Sequence, residues 1–499
     1  MAELTGPSPP GRYQAVVVGS GPGGLQTSYA LAQAGVRHAA LSADPAPGGL
    51  FRRFPLFQRL ITWSKPQAPA ERRTRAYGWY DWNSLIAEEP ELRDLVVDAM
   101  DGTSYFPARA EMERGLVGFA EGAALPFRYG CRWESTGLED GDVVLRTSDG
   151  EYRAPVALFA VGTTQPWTPP DIPGIELAPH YVDVGPAREY EGKRVFVIGK
   201  RNSGFEVADG LLATARQIIL ASPRPAKISV VTRSTAGARA RYLQPYEDWV
   251  LGGGTFILDA AIQRVERTGG GYRVTVSGTT RPGQTVFDVD EVVVATGFTT
   301  PLGDLPDLGV ATFRQGRLPA LTPFWESASV PGIFFAGSVM QGSAGLKKHG
   351  VTSNSAAVHG FRFNAAIQAR HIAATRFGRP PPRPPVAPVE VAGLLLADAT
   401  RGPELWNQPS HLARAITFDP AGGPVDDGIV PLEHFVDAAG PDAVAMTVEQ
   451  GPDGEIRPCA YVRSGGDIHE HVMASDPMLD FETAEHRRHL ATLLDPLGT

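Results

Sequence analysis

Two apolar runs that each break into a glycine-rich turn limit the folds open to this chain of 499 residues. The first is Ala15-Val16-Val17-Val18-Gly19-Ser20-Gly21-Pro22-Gly23-Gly24; the second is Arg194-Val195-Phe196-Val197-Ile198-Gly199-Lys200-Arg201-Asn202-Ser203-Gly204. Each run reads as a parallel strand buried on both faces. The glycines allow a sharp turn and let main-chain N–H groups at the next helix N-terminus approach a pyrophosphate. After the first turn a helical stretch, Leu25 to Ala34, meets Gly35 as a C-terminal cap. Gly19, Gly21, Gly23 and Gly24 are therefore candidate dinucleotide ligands, with Gly199, Arg201, Asn202 and Ser203 as counterparts in the second turn. Arg201 replaces the central glycine there, so the phosphate meets less open backbone, or a guanidinium instead. Two turns predict two dinucleotides and an α/β chain with two Rossmann-like domains.

The strand after the first helix, His38 to Ser42, ends where an acid is expected at the adenosine ribose. Ser42 occupies that place and Asp44 follows two residues on, so either Asp44 reaches the ribose from a shifted register or Ser42 does so more weakly. In the second unit the strand from Gln217 to Ala221 leads into Ser222-Pro223-Arg224, with no acid. A hydroxyl and an arginine suit a 2′-phosphate, which favours NADPH, with Arg224 leading and Arg201 and Arg233 secondary. A solvated Arg224 without ligand is the plain alternative. Three more apolar strands end at glycines: Gly162, Gly297, and Gly337 followed by Ser338.

A net charge of -9 and the lack of a Lys/Arg cluster argue against a nucleic-acid partner. No polybasic patch and no long apolar run points to a membrane. The first residues lack a signal-peptide pattern, so the expected location is cytoplasmic. Cys131 and Cys459 are the only cysteines. They form no C-x-x-C, which excludes a local redox dithiol and a cysteine-based zinc site; no metal is expected. Electrons must then pass through bound cofactors.

The order of these strand ends around an inserted second turn resembles the flavin-containing monooxygenase superfamily, in which an NAD(P)H domain interrupts an FAD domain. The segments Phe51-Arg52-Arg53-Phe54-Pro55, Leu60-Ile61-Thr62-Trp63-Ser64-Lys65, Tyr80-Asp81-Trp82-Asn83-Ser84-Leu85, Tyr105-Phe106-Pro107 and His359-Gly360-Phe361-Arg362 carry a narrower resemblance. They are similar to the FAD-dependent oxidoreductase-domain group, which includes the endoplasmic-reticulum flavoprotein associated with degradation and bacterial relatives. No retention signal ends this chain, so the eukaryotic cellular role is not expected to transfer. The resemblance implies FAD at the first turn, with Gly162, Gly297, Gly337 and Ser338 near it; Ser338 stands in place of the usual aspartate.

It also implies an FAD-dependent, NADPH-using monooxygenase that oxidises a small organic substrate with molecular oxygen through a flavin C4a-peroxide. Asn83 is the candidate to stabilise that species, with Asp81 and Trp63 shaping the pocket. The plain alternative is that Asp81 and Asn83 cap a helix and the tryptophans are core residues. Lys347, Lys348 and His349 are candidates for binding an anionic substrate or the flavin phosphates, or are simply solvated. His180 reads as a linker residue, with a hinge role as the alternative. An Ala/Arg/Pro-rich composition suits a specialised-metabolite biosynthetic pathway. The runners-up are an FAD-dependent dehydrogenase or oxidase without oxygen insertion, and a flavoprotein with a partner-binding role.

The expected organisation is 1–185 and 299–378 for the FAD domain and 186–298 for the NAD(P)H domain. A proline-rich linker, 379–388, then leads to a small C-terminal α+β extension, 389–499. Arg379 to Pro385 holds too many prolines for a helix or a ladder and reads as a stiff spacer. The extension is expected to cap the flavin domain, with a dimer interface or a lid as options.

Overall fold

The computed structural model describes residues 4–57, 59–228, 238–239, 242, 254–346, 348–350, 352–420 and 422–497. Lys347 and Arg233 lie outside the described residues, as does the side chain of His349. The chain forms two compact units: Met1–Arg53, Thr62–Gly162 and Leu302–Thr499 make the first, Phe54–Ile61 and Thr163–Pro301 the second. The division falls at Gly162/Thr163 instead of 185/186, and the C-terminal residues belong to the first unit.

The first unit is built on a five-stranded parallel sheet ordered Ile333–Phe335, Val156–Phe159, Ala15–Val18, His38–Ser42, Phe127–Tyr129. Ala15–Val18 is its middle strand and is buried throughout, as its unbroken apolar run requires. Its end is thus flanked on both sides by strand ends: Gly19 N–H donates to Leu41 O, and Ala160 N–H donates to Val18 O. The helix Pro22–Gln33 packs along the long helix Val358–Phe377. A four-stranded sheet, Gly11–Arg12, Gly150–Ala154, Asp142–Thr147 and Trp133–Glu139, contributes Val143, Leu145 and Tyr152 to the same core as Val16, Leu41 and Phe335.

The second unit holds a six-stranded sheet whose central strands are Thr255–Thr268 and Gln217–Ser222. Arg194–Ile198 runs parallel to both Gln217–Ser222 and Glu291–Val294. The far side of the sheet is a meander of Thr255–Thr268, Gly271–Gly278 and Gln284–Val289. Phe196, Ile198, Ile219, Val274 and Val292 form its core.

The C-terminal residues fold as an α+β element around a five-stranded antiparallel sheet ordered Gly423–Pro431, Leu412–Asp419, Ala443–Gln450, Ile456–Ser464, Asp467–Val472. The proline-rich stretch is docked, which corrects its reading as a spacer. Val386 N–H donates to Pro424 O and Asp426 N–H donates to Pro384 O, both at 2.9 Å, and Arg383 pairs with Asp427. Proline keeps its carbonyl, and a strand edge needs acceptors as well as donors, so the stretch covers the open edge Gly423–Pro431. Among the described residues no helix is long and apolar enough to cross a membrane.

Candidate functional site

The first glycine turn is built from main-chain approaches that no side chain allows. A Cβ on Gly24 would sit 1.7 Å from Gly19 O, and one on Gly23 would sit 2.4 Å from the Cα of Gly337. Gly49 faces the same turn, its Cβ position 2.7 Å from the Cα of Gly21. The Pro47-Gly48-Gly49 run was the unread signal for it. The N-cap residue Gly21 provides no side-chain cap to the helix Pro22–Gln33. Its opening N–H groups suit a phosphate, and the close-packed glycines leave a shallow backbone cradle, so the residues present fit the pyrophosphate of FAD. Ser338 has its carbonyl bonded by Gln341 Nε2, and its hydroxyl bonds no protein group among the described residues.

At the ribose end, Ser42 is engaged. Its hydroxyl lies 2.7 Å from Ser20 Oγ and accepts the Asp44 N–H at 3.1 Å, in a buried position. Asp44 is half-buried, and its carboxylate bonds no protein group among the described residues.

The second turn repeats the first in its outer glycines. A Cβ on Gly204 would sit 2.3 Å from Gly199 O, the counterpart of the Gly24 contact. Arg201 is the N-cap, exposed, with no side-chain cap to the helix Asn202–Leu211. Replacing the central glycine by arginine therefore leaves the strand–helix packing unchanged. Ser203 is half-buried on the first turn of that helix, and Asn202 Oδ1 accepts the Arg239 N–H. Ser222 lies beside Arg224, which is exposed.

The structure adds a residue here that spacing did not reveal. Lys200 is buried, donates to Leu258 O at 2.7 Å and pairs with Asp259, which stands in register with Ser222. The Lys200 ammonium holds the Asp259 carboxyl below its ordinary range. The second site thus has an acid after all, and a built-in cation neutralises it.

Back in the first unit, the two most distinctive sequence motifs meet. Fully buried Arg362 donates to Ser84 O, Gly78 O and Asp81 O at 2.5, 2.7 and 2.6 Å. His359 stacks on Trp82 at 4.3 Å, and Trp82 stacks on Trp63 at 4.8 Å. Asn83 spends its amide on the loop: Oδ1 accepts from Thr62 Oγ1, and Nδ2 donates to Ser64 Oγ at 3.0 Å. Asp81 Oδ1 accepts the Asn83 and Ser84 N–H groups and the Ser64 hydroxyl. These bonds cap a turn; no helix begins there. Asp81 Oδ2 is buried without a hydrogen-bond partner among the described residues, so Asp81 keeps one unused acceptor.

The remaining sequence candidates separate. Lys348 donates to Glu449, Tyr461 and Glu470 at 2.5, 2.8 and 2.6 Å, all on strands of the C-terminal sheet. Its three N–H bonds are used, which leaves none for a substrate. His180 caps a short turn and contacts Gly297 O at 3.2 Å within the second unit. Gly162 closes the second segment of the first unit, away from the Gly23–Gly337 approach in sequence. Cys131 and Cys459 are free, buried, and held as thiols by that burial.

The model of the pyridine nucleotide-disulphide oxidoreductase family matches residues 16–337, a span holding both glycine turns. The chain belongs to that family. As a pyridine nucleotide-disulphide oxidoreductase family member it is an enzyme, and FAD with NADPH fits both turns. FAD-dependent oxidoreductase domain-containing protein 2 of Mus musculus is 30% identical over 237 residues, 45% of this chain and 34% of that protein. The chain thus spans about a third of that relative's length. A ferredoxin–NADP reductase of Salinispora tropica is 27% identical over 365 residues, 70% of this chain and 92% of that protein. Among solved structures, a flavin-containing monooxygenase from Stenotrophomonas maltophilia has a TM-score of 0.55 at 20% identity, over 73% of this chain and 98% of that one. It shares the two-dinucleotide α/β fold that the sequence predicts.

Proposed function

We propose that this oxidoreductase takes reducing equivalents from NADPH, passes them through bound FAD, and uses them with molecular oxygen to oxidise a small organic substrate. The observation that carries the reading is the combination of two glycine turns with no accessible thiol. Both cysteines are buried and free, so electrons have no disulfide of this chain to enter and must leave to a diffusible acceptor. The monooxygenase fold neighbour supports oxygen as that acceptor.

FAD, when bound, supplies hydride acceptance and oxygen chemistry. The chain supplies position and charge. Gly19, Gly21, Gly23, Gly24 and Gly49 form the backbone cradle, Gly337 closes it, and Ser338 offers a free hydroxyl. Asp44, and not the already bonded Ser42, takes the adenosine ribose. In the second unit Gly199 and Gly204 set the turn, Arg201 and Arg224 take phosphate charge, and Lys200 cancels Asp259 so that a 2′-phosphate is not repelled. Asn83 is a positioning residue that holds the Thr62–Ser64 loop, and Asp81 Oδ2 is the acceptor left to bind a water or a proton-bearing group. Trp63 and Trp82 form an aromatic wall beside them.

The test is anaerobic mixing with NADPH or NADH followed by oxygen, with flavin absorbance recorded throughout. NADPH is expected to reduce the flavin at least about tenfold faster than NADH. No reduction by either nucleotide would sink the proposal. A second reading, hydride transfer without oxygen insertion, draws on the commitment of the Asn83 amide to its own loop. Under that reading all the oxygen consumed appears as hydrogen peroxide, whatever substrate is added.

A further inference from the structure

A cleft of about 520 Å³ opens in the first unit, within the range of small-molecule sites. It lies against the C-terminal half of the helix Pro22–Gln33, whose last residue is roughly 17 Å along the axis from the glycine turn. Ala30, Ala366 and Ala373 give it an apolar strip and the docked Pro380–Pro382 another part of the lining, while the lining polar groups of Gln26, Tyr29 and Gln33 are bonded to the Ile86 backbone or to Glu89. Arg370, on the long helix Val358–Phe377, contributes the guanidinium.

Arg370 is half-buried and makes no hydrogen bond or ion pair among the described residues. Burial presses its pKa down, although an arginine stays charged at any ordinary pH. The carboxylates near it are Glu404, Glu88 and Asp426. Glu404 already holds Arg75 through both oxygens, and Asp426 holds Arg414 and the Gly428 N–H. Glu88 lines the cleft itself, as does Arg379, which donates to Gly35 O. Two arginines against one glutamate leave the cleft net positive. A desolvated cation without a partner is costly, and sites that tolerate one are commonly completed by a bound anion.

We infer that this cleft binds an organic carboxylate with a short apolar chain, the carboxylate paired in a fork with Arg370 and the chain laid over the alanine strip. A planar guanidinium matches a carboxylate through two parallel N–H···O bonds. The alanines and prolines offer the chain apolar surface rather than hydrogen-bond partners. None of the residues that line the site belongs to either glycine turn, and it does not depend on the proposed reaction.

Octanoate is the probe, with 1-octanol and octylammonium as neutral and cationic controls, titrated into the flavin-loaded protein by calorimetry. Wild type is expected to bind octanoate and neither control. Arg370→Met is expected to weaken octanoate at least about tenfold while raising the thermal midpoint of the ligand-free protein, because an unpaired cation has gone. Ala366→Leu, which fills the cleft and keeps the charge, should also lose binding. Glu88→Gln should tighten it. Flavin reduction by NADPH should be unchanged in all three variants. No octanoate binding by wild type, equal binding by Arg370→Met, or equal binding of 1-octanol would overturn the proposal. A lower ligand-free midpoint in Arg370→Met would do the same, since it would show a structural role for the arginine.

Discussion

At the scale of single residues, the glycines are the part of the site that was most legible, because the reason for each is steric and local. Gly24 and Gly204 face the carbonyls of Gly19 and Gly199 at distances that exclude any Cβ. Gly24→Ala is expected to cost about 1 to 3 kcal/mol by overpacking and to lower flavin content, read from the ratio of flavin to protein absorbance. Gly204→Ala should leave flavin content intact and slow reduction by NADPH. The choice between Ser42 and Asp44 was open in the sequence because it turns on Ser20, whose hydroxyl partner spacing does not reveal. Histidine 371 was not legible at all. His371 lies on Phe324 with ring centres 3.8 Å apart and with His434 beside the same ring. Burial, then the charges of His434 and Arg376, push its pKa down to about 4. A histidine depressed in the folded state contributes stability that is whole above its unfolded value near 6.5 and is lost as pH falls toward about 4. Urea midpoints measured across that window should fall more steeply for wild type than for His371→Phe.

At the scale of elements, one long-range joint in the first unit is Arg362 against the carbonyls of Gly78, Asp81 and Ser84. The two motifs were conspicuous as sequence, yet their contact is long-range and carries no periodicity, so only the fold reveals it. Arg362→Met takes the donor from the carbonyls of buried Asp81 and Ser84, while Gly78 O keeps the Asn407 amide, and is expected to cost about 3 kcal/mol, measured by denaturant unfolding. Arg362→Lys should recover only part, since a single ammonium cannot span the three acceptors. A second joint is Lys348, whose loop is tied to the sheet strands carrying Glu449, Tyr461 and Glu470. A double-mutant cycle of Lys348→Met and Glu449→Gln should give a coupling of about 2 kcal/mol. A coupling near zero would return Lys348 to the role of a solvated or substrate-facing lysine. Lysine in a loop was read by its average behaviour, and its three partners lie a hundred residues or more downstream in strands.

At the scale of the whole molecule, the alternation of buried strand, glycine turn and helix made the α/β class and both Rossmann units readable. Each of those units is specified by a short stretch of chain. The C-terminal sheet was readable only as a folded α+β element, because the order of antiparallel strands depends on which edges meet and not on any one segment. The proline stretch was misread for the same reason: its composition describes a spacer, and its partner Gly423–Pro431 decides otherwise. Because that stretch is docked and Arg75 bonds both Asp398 and Glu404, the C-terminal element is expected to unfold together with the flavin-binding sheet. Hydrogen exchange should show the strands Leu412–Asp419 and Ala15–Val18 opening with one free energy, and separate openings would contradict it. The approach of Gly23 to Gly337 has a further consequence, for biosynthesis. The cradle's floor leaves the ribosome early and its lip leaves late, so a nascent chain has no finished nucleotide pocket until most of its length has emerged. Cofactor capture then falls late in synthesis and not early, and the first segment must wait, exposed, for a partner that has not yet been made.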